Sequence, residues 1–145
     1  QAGAVRRRIV LAEDVERLRH EEGDPYEAIQ MQFVNPVTGA PVLPTLNYAA
    51  QLLRPGEETK FKRETCGTSI VVMEGQGYTE VGGKRFDWEP NDIVVVPNFL
   101  WRRHVNTGRN DAVLYTVSDA ALLKNIGQYR AQDKADDGSV TQIVA

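Results

Sequence analysis

The sequence predicts an all-β protein, a jelly-roll β-sandwich or barrel with short flanking helices. Two observations predict it. Between residues 46 and 117, short apolar or β-branched segments recur, each closed by a Gly or Pro turn signal. No internal repeat or heptad interrupts that pattern.

The elements follow in order. Residues 13–22 (EDVERLRHEE) read as a short charged helix, with Val15 and Leu18 at helical spacing and Gly23-Asp24-Pro25 as its stop. NPVTGAPVLPT, residues 35–45, holds three prolines and a glycine, which forbid a central strand or a helix, so an ordered loop is expected. Leu46–Leu53 is the first expected strand and ends at Arg54-Pro55-Gly56. Ser69–Met73 is β-branched and ends at Glu74-Gly75-Gln76-Gly77. Tyr78–Val81 and Lys84–Trp88 flank Gly82-Gly83, the pair that closes a tight hairpin. Ile93–Val96, Trp101–Val105 and Val113–Val117 complete the set. Ala120–Tyr129 is expected as a short helix with Leu122, Leu123 and Ile126 on one side. The tail from Ala131 is polar until 141–145, an apolar, β-prone piece that suits either an edge strand, on this chain or a partner, or no fixed structure. The expected layout is 1–45 as helix and Pro-rich loop, 46–119 as the barrel, and 120–145 as helix and tail.

Composition narrows the function. A chain of 145 residues with 41% hydrophobic and 26% charged content is one globular domain. A net charge of -3 gives no basic footprint, so nucleic acid is not an expected partner. No apolar run reaches membrane-spanning length, and no membrane partner is expected. The lone Cys66 cannot form an internal disulfide, which points to a reducing, cytoplasmic compartment. Imidazole-based sites for iron, manganese or zinc need two or three converging histidines, and this chain has two, His20 and His104, neither near a Cys or the other. No metal or other cofactor is expected in this chain.

The chain resembles the C-terminal cupin domain of the gentisate 1,2-dioxygenase group, which includes salicylate and 1-hydroxy-2-naphthoate dioxygenases. The resemblance rests on NPVTGAPVLPTL (35–46), QLLRPGE (51–57), EGQGYTEVGGKRFDWEPNDIVVVPNFLW (74–101), HVN (104–106) and AVLYTVSDA (112–120). It implies a cupin barrel. In the family it implies a two-cupin, Fe(II)-dependent enzyme that opens hydroxylated aromatic acids, with iron on three histidines of the N-terminal cupin. Where the cupin pattern carries its three histidine ligands, this sequence has Lys62, Glu64 and Arg102, and where the pattern usually has glutamate it has Thr68. His104 matches a second histidine beyond the ligand position. No catalytic residue carries over.

Each candidate has a plain reading beside a functional one. Strand alternation directs Lys62, Glu64 and Arg102 to one side. They form either a structural ion cluster filling the old metal cavity, or a pocket of net charge about +1 that takes a carboxylate on Arg102. His104 either bonds Glu64 or satisfies a buried backbone group. Cys66, beside Lys62 and Arg63, reads as an inert thiol despite basic neighbours that would lower its pKa, because no base is oriented onto it. Trp88, Trp101, Phe86 and Phe99 read as core or subunit-interface packing rather than a ligand cage. Glu74–Gly77 is a hairpin turn, not a phosphate loop; Arg6-Arg7-Arg8 and His20 are solvated.

Three functional expectations result. The first is the metal-less cupin of a larger ring-cleaving dioxygenase, with a structural or oligomerising role and a homo-oligomer or a second cupin as partner. The second is a free-standing cupin that binds a small aromatic acid through Lys62, Arg102 and His104. The third, a metal-independent enzyme using Glu64 or His104, lacks a nucleophile or a base–orienter pair. Whether the chain acts as an enzyme by itself stays open at this point.

Overall fold

The computed structural model describes residues 16–17, 19–20 and 22–144. Eleven strands among them form two antiparallel sheets. Chain order gives β1 (Ile29–Phe33), β2 (Asn47–Leu53), β3 (Lys62–Glu64), β4 (Thr68–Glu74), β5 (Gly77–Val81) and β6 (Lys84–Trp88). Then come β7 (Ile93–Val96), β8 (Arg102–Asn106), β9 (Ala112–Ser118), helix α1 (Ala120–Asn125), β10 (Ala131–Lys134) and β11 (Val140–Val144). One sheet runs β1-β2-β9-β4-β7 and the other β11-β10-β3-β8-β5-β6. The strand ladders therefore make a two-sheet jelly roll, not a continuously hydrogen-bonded closed barrel.

The seven strands expected from the sequence are all present, shifted by at most a residue or so at their ends. Gly82 and Gly83 both have positive φ (57° and 81°), which a two-residue primed turn between β5 and β6 requires. Three strands escaped the pattern, and a fourth, β11, was expected as one of two alternatives. β1 precedes the Pro-rich loop, β3 is three charged residues, β10 lies in the polar tail, and β11 is the β-prone end piece. β11 pairs with β10 of its own chain and is a sheet edge. The helix is shorter than expected, ending at Asn125, with Gly127 at φ 71° turning the chain out. Its buried side is Ala120 and Ala121 with Leu123; Leu122 and Ile126 face solvent. Of the helix expected over 13–22, Glu16 and Arg17 are helical, and residues 13–15, 18 and 21 lie outside the described residues. Arg6-Arg7-Arg8 also lies outside them; His20 is exposed.

Cross-strand register divides the five-stranded sheet into rows with different chemistry. Ile93, Val71, Tyr115, Ala50 and Met31 stand opposite one another across all five strands, an apolar row on the outer face. On the inner face the row Val94, Ile70, Thr116, Ala49, Gln32 begins apolar and becomes polar toward β1. The main core of Leu53, Ile70, Val72, Val81, Trp88, Val94, Val96 and Leu114 accordingly fills one end of the sandwich. The other end is left polar. Asn106 separates the core from the neighbouring loop, donating from Nδ2 to the carbonyls of Leu53 and Asn110 (both 2.9 Å).

The 35–45 segment is an ordered turn. Asn35 accepts from the Val37 N–H on its side chain, and the Asn35 N–H donates to the Ala40 carbonyl (2.8 Å). Asn125 of α1 holds the loop's end by donating to the Pro44 carbonyl (2.8 Å).

Candidate functional site

The polar end of the sandwich holds a cavity of about 200 Å³. Its wall includes all five residues singled out from the sequence, Lys62, Glu64, Thr68, Arg102 and His104. Alternation explains the convergence: Lys62 and Glu64 are the two inward positions of β3, Arg102 and His104 are inward positions of β8, and Lys62 stands opposite Arg102 in the ladder.

The centre of the site is an ion cluster with a member the sequence reading missed. Glu27 reaches in from the turn before β1, and its Oε1 accepts from Arg102 Nη2 (2.5 Å) and Lys62 Nζ (2.8 Å). The same Arg102 Nη2 donates to Glu64 Oε1 (2.8 Å), which also lies 3.8 Å from Lys62 Nζ. These side chains are only 13% (Glu27), 12% (Lys62), 12% (Glu64) and 6% (Arg102) exposed. The cluster is thus two carboxylates against two cations. The net charge of about +1 expected from Lys62, Glu64 and Arg102 is corrected to zero by Glu27. Burial would raise the Glu27 carboxyl, but Arg102 and Lys62 outweigh it and bring it down to about 2. Glu64 behaves alike, its burial opposed by the same two cations, and its pKa is lowered.

Glu27 is positioned by local chemistry that a helix stop does not reveal. Asp24 Oδ1 accepts from the N–H groups of Tyr26 (2.7 Å) and Glu27 (3.0 Å), and the Asp24 N–H donates to the Ala28 carbonyl (2.7 Å). Ala28 takes φ 55° to complete the turn. The signal available in the sequence was Asp24 before Pro25, a turn initiator that aims the residue three positions on.

The second carboxylate oxygen of each glutamate is also engaged. Glu27 Oε2 accepts from Gln51 Nε2 (2.5 Å). Glu64 Oε2 accepts from the hydroxyl of Tyr129 (2.5 Å) and from the Cys66 thiol (3.4 Å). Tyr129, expected at the end of a helix, instead enters the site because Gly127 ends α1 early. The basic neighbours of Cys66 do not lower its pKa, which accords with its reading as an inert or slowly oxidising thiol. Burial, then the Glu64 carboxylate, push the thiol up to about 12; Lys62 is turned to the glutamates instead.

His104 bonds neither Glu64 nor a backbone group through its ring. Its Nδ1 lies 2.9 Å from Thr79 Oγ1, which accepts from Trp88 Nε1–H (3.0 Å). Thr79 Oγ1 can either donate to Nδ1 or accept a proton from it, so the contact suits either neutral tautomer of the ring. Burial, reinforced by Arg102, drives the His104 pKa down to about 3, so the ring is neutral. Trp88 is thus a core residue. On the opposite face of β3, Arg63 lies between Phe99 (4.2 Å) and Trp101 (4.4 Å), which explains those two rings as partners of a cation. Phe86 is exposed.

The site does not fit iron. The positions of the cupin ligands carry the basic side chains of Lys62 and Arg102, and the neighbouring carboxylates are already bonded to them. Among the described residues, no group of three His, Cys, Asp or Glu side chains is disposed to hold a metal ion. Nor is any helix among them long and apolar enough to cross a membrane.

Comparison with known proteins agrees with this architecture. The cupin domain family matches residues 50–118. The chain is 42% identical over 116 residues to the 5-aminosalicylate 1,2-dioxygenase of a Comamonas species, covering 80% of this chain and 31% of that protein. It is 37% identical over 109 residues to gentisate 1,2-dioxygenase 1 of Aquipseudomonas alcaligenes, covering 75% and 31%. The chain therefore spans about a third of the length of the curated relatives it matches. The crystal structure of salicylate 1,2-dioxygenase from Pseudaminobacter salicylatoxidans superposes at TM-score 0.68, with 30% identity over 72% of this chain and 29% of that one. Its gentisate adduct superposes at TM-score 0.76, with 27% identity over 86% and 36%. A two-sheet jelly roll, a matching domain family and relatives of one kind across four fifths of its length make this chain a cupin, related to the gentisate and salicylate dioxygenases.

Proposed function

We propose that this chain is the metal-less, C-terminal cupin of a gentisate 1,2-dioxygenase-like ring-cleaving protein, with a structural and oligomerising role. In this reading, Fe(II) and ring cleavage belong to another cupin. The observation that carries it is the closed Glu27–Lys62–Glu64–Arg102 cluster, which occupies the ligand positions with groups that neutralise each other. The outer apolar row gives the role a surface: Ile93 is 67% exposed and its neighbour Val95 61%, an edge suited to packing on a second cupin. The test is iron content by mass spectrometry on untagged protein, together with gentisate and salicylate turnover under added Fe(II). Absence of stoichiometric iron and of ring cleavage is expected. Bound iron with turnover overturns the reading.

A second reading has one specific observation in its favour. The cavity is open at exposed Gln30, Gln32 and Lys124 and ends on buried Gln51, Arg102 and His104. That is the form of a small-molecule binding site. In this reading Lys62, Glu64, Thr68, Arg102 and His104 shape the pocket, with a small aromatic acid as the first ligand to try.

A further inference from the structure

Among the buried polar atoms of the cavity wall without a hydrogen-bond partner are Arg102 Nη1, a donor, and Gln51 Oε1, an acceptor. Gln51 is 1% exposed and Arg102 5%. The Gln51 orientation is forced. Its Nε2 donates to Glu27 Oε2 and to the Glu27 carbonyl (3.3 Å), both acceptors only, so the oxygen must be the unbonded end. Asn47, four positions earlier on the same face of β2, also presents a buried, unpartnered amide atom and lines the same cavity. Leaving such groups unpaired is costly, which marks the place where a ligand's polar atoms belong.

We infer that this cavity binds a small neutral polyhydroxylated molecule, a polyol or monosaccharide, rather than an aromatic acid. This rests on the binding reading above and names its ligand class. The chemistry of the wall decides between classes. A carboxylate only accepts: it would satisfy Arg102 Nη1 but face the Gln51 oxygen acceptor to acceptor. A hydroxyl both donates and accepts, so neighbouring hydroxyls can serve all three atoms. Charge agrees, because the Arg102 cation is already balanced within the cluster and a third anion would sit beside Glu27 and Glu64. Shape agrees as well. The rest of the wall is largely amide and hydroxyl, with Thr116 and Ser118 facing the space, in place of the apolar slot a benzene ring prefers.

Saturation-transfer NMR and calorimetry on the full chain, with D-xylose, erythritol and salicylate as probes, test this. Saturable binding of at least one neutral probe is expected, with salicylate weaker by tenfold or more. Gln51→Leu is expected to weaken the neutral probe at least tenfold. Should Gln51→Leu unfold the protein, Ala49→Leu fills the same cavity without touching the ion cluster and is expected to abolish binding at unchanged melting temperature. Salicylate binding tighter than both neutral probes overturns the ligand class while sparing the binding reading. Absence of binding by all three sinks both, leaving the unpaired atoms to water. Binding that survives Ala49→Leu in a folded protein places the ligand elsewhere and also overturns the inference.

Discussion

Arg102 Nη2 lies between Glu27 Oε1 at 2.5 Å and Glu64 Oε1 at 2.8 Å, one guanidinium nitrogen bridging two carboxylates that arrive from a turn and from a strand. Because Lys62 supplies the second positive charge, removal of either glutamate leaves two buried cations sharing one carboxylate. Glu27→Ala and Glu64→Ala are each expected to destabilise by about 3–5 kcal/mol, far beyond the worth of an exposed ion pair. Urea denaturation measures it. An unchanged midpoint for either variant would show that the cluster contributes little to holding the β3–β8 seam to the Glu27 turn.

Acid should unfold this protein in two stages. His104 takes its proton near 6.5 when unfolded but only near 3 when folded, so the unfolded state binds more protons between those values. Stability is complete above about 6.5 and falls by up to ~1.4 kcal/mol per pH unit below it. Glu27 adds a second loss. Its folded pKa is depressed from 4.5 to about 2, so its contribution is present above 4.5 and disappears as pH falls toward 2. Denaturant midpoints measured from pH 8 to pH 3 should decline from 6.5 and steepen below 4.5. In His104→Gln, the decline between 6.5 and 4.5 should vanish; its persistence would assign that arm to another group.

Cys66 should be silent in the native state. It is 4% exposed, and burial next to Glu64 pushes its thiol up to about 12, so thiolate is scarce at neutral pH. An aromatic disulfide reagent should label no thiol in the folded protein and one per chain in denaturant. Prompt native labelling would mean that the Cys66–Tyr129–Ala131 packing opens readily.

Among the described glycines, Gly77 is the one least able to accept a side chain. A Cβ there would overlap the Val105 carbonyl oxygen and approach Trp88 Cη2 at 2.7 Å, so β5, β8 and the indole crowd one point. Gly77→Ala is expected to cost about 3 kcal/mol or more, since backbone cannot yield as a flexible side chain does. It should also shift Trp88 fluorescence. A stability change under 1 kcal/mol would place slack in this end of the core.

Much of the sandwich was legible because its strands carry their own evidence. Lys84–Trp88 and Ile93–Val96 are bounded by turns that only Gly-Gly or Pro-Asn chemistry makes easily, and their residues favour the pleat. β3 and β10 were not legible. KRE and AQDK have no strand propensity of their own, and they are strands because β8 on one side and β11 on the other supply hydrogen-bonding partners. The site divided in the same way. Lys62, Glu64, Thr68 and Arg102 were picked out by the resemblance to the cupin pattern, and strand alternation put His104 on the same face as Arg102. Glu27, Gln51, Thr79 and Tyr129 come from elements distant in sequence, and no local pattern pairs a residue with a partner 24 to 75 positions away.

By itself, then, the sequence determined the strand menu, the cupin frame and the absence of histidine at the ligand positions, because these depend on local propensity and residue identity. Tertiary structure alone decided the charge of the site. Whether Lys62, Glu64 and Arg102 form an anion trap or a neutral cluster turned on where Glu27 falls, and the turn at Asp24 with a positive φ at Ala28 sets it 2.5 Å from Arg102. Electrostatics in a low-dielectric interior depends on distances of a few ångströms between remote segments, and only the folded chain sets those distances.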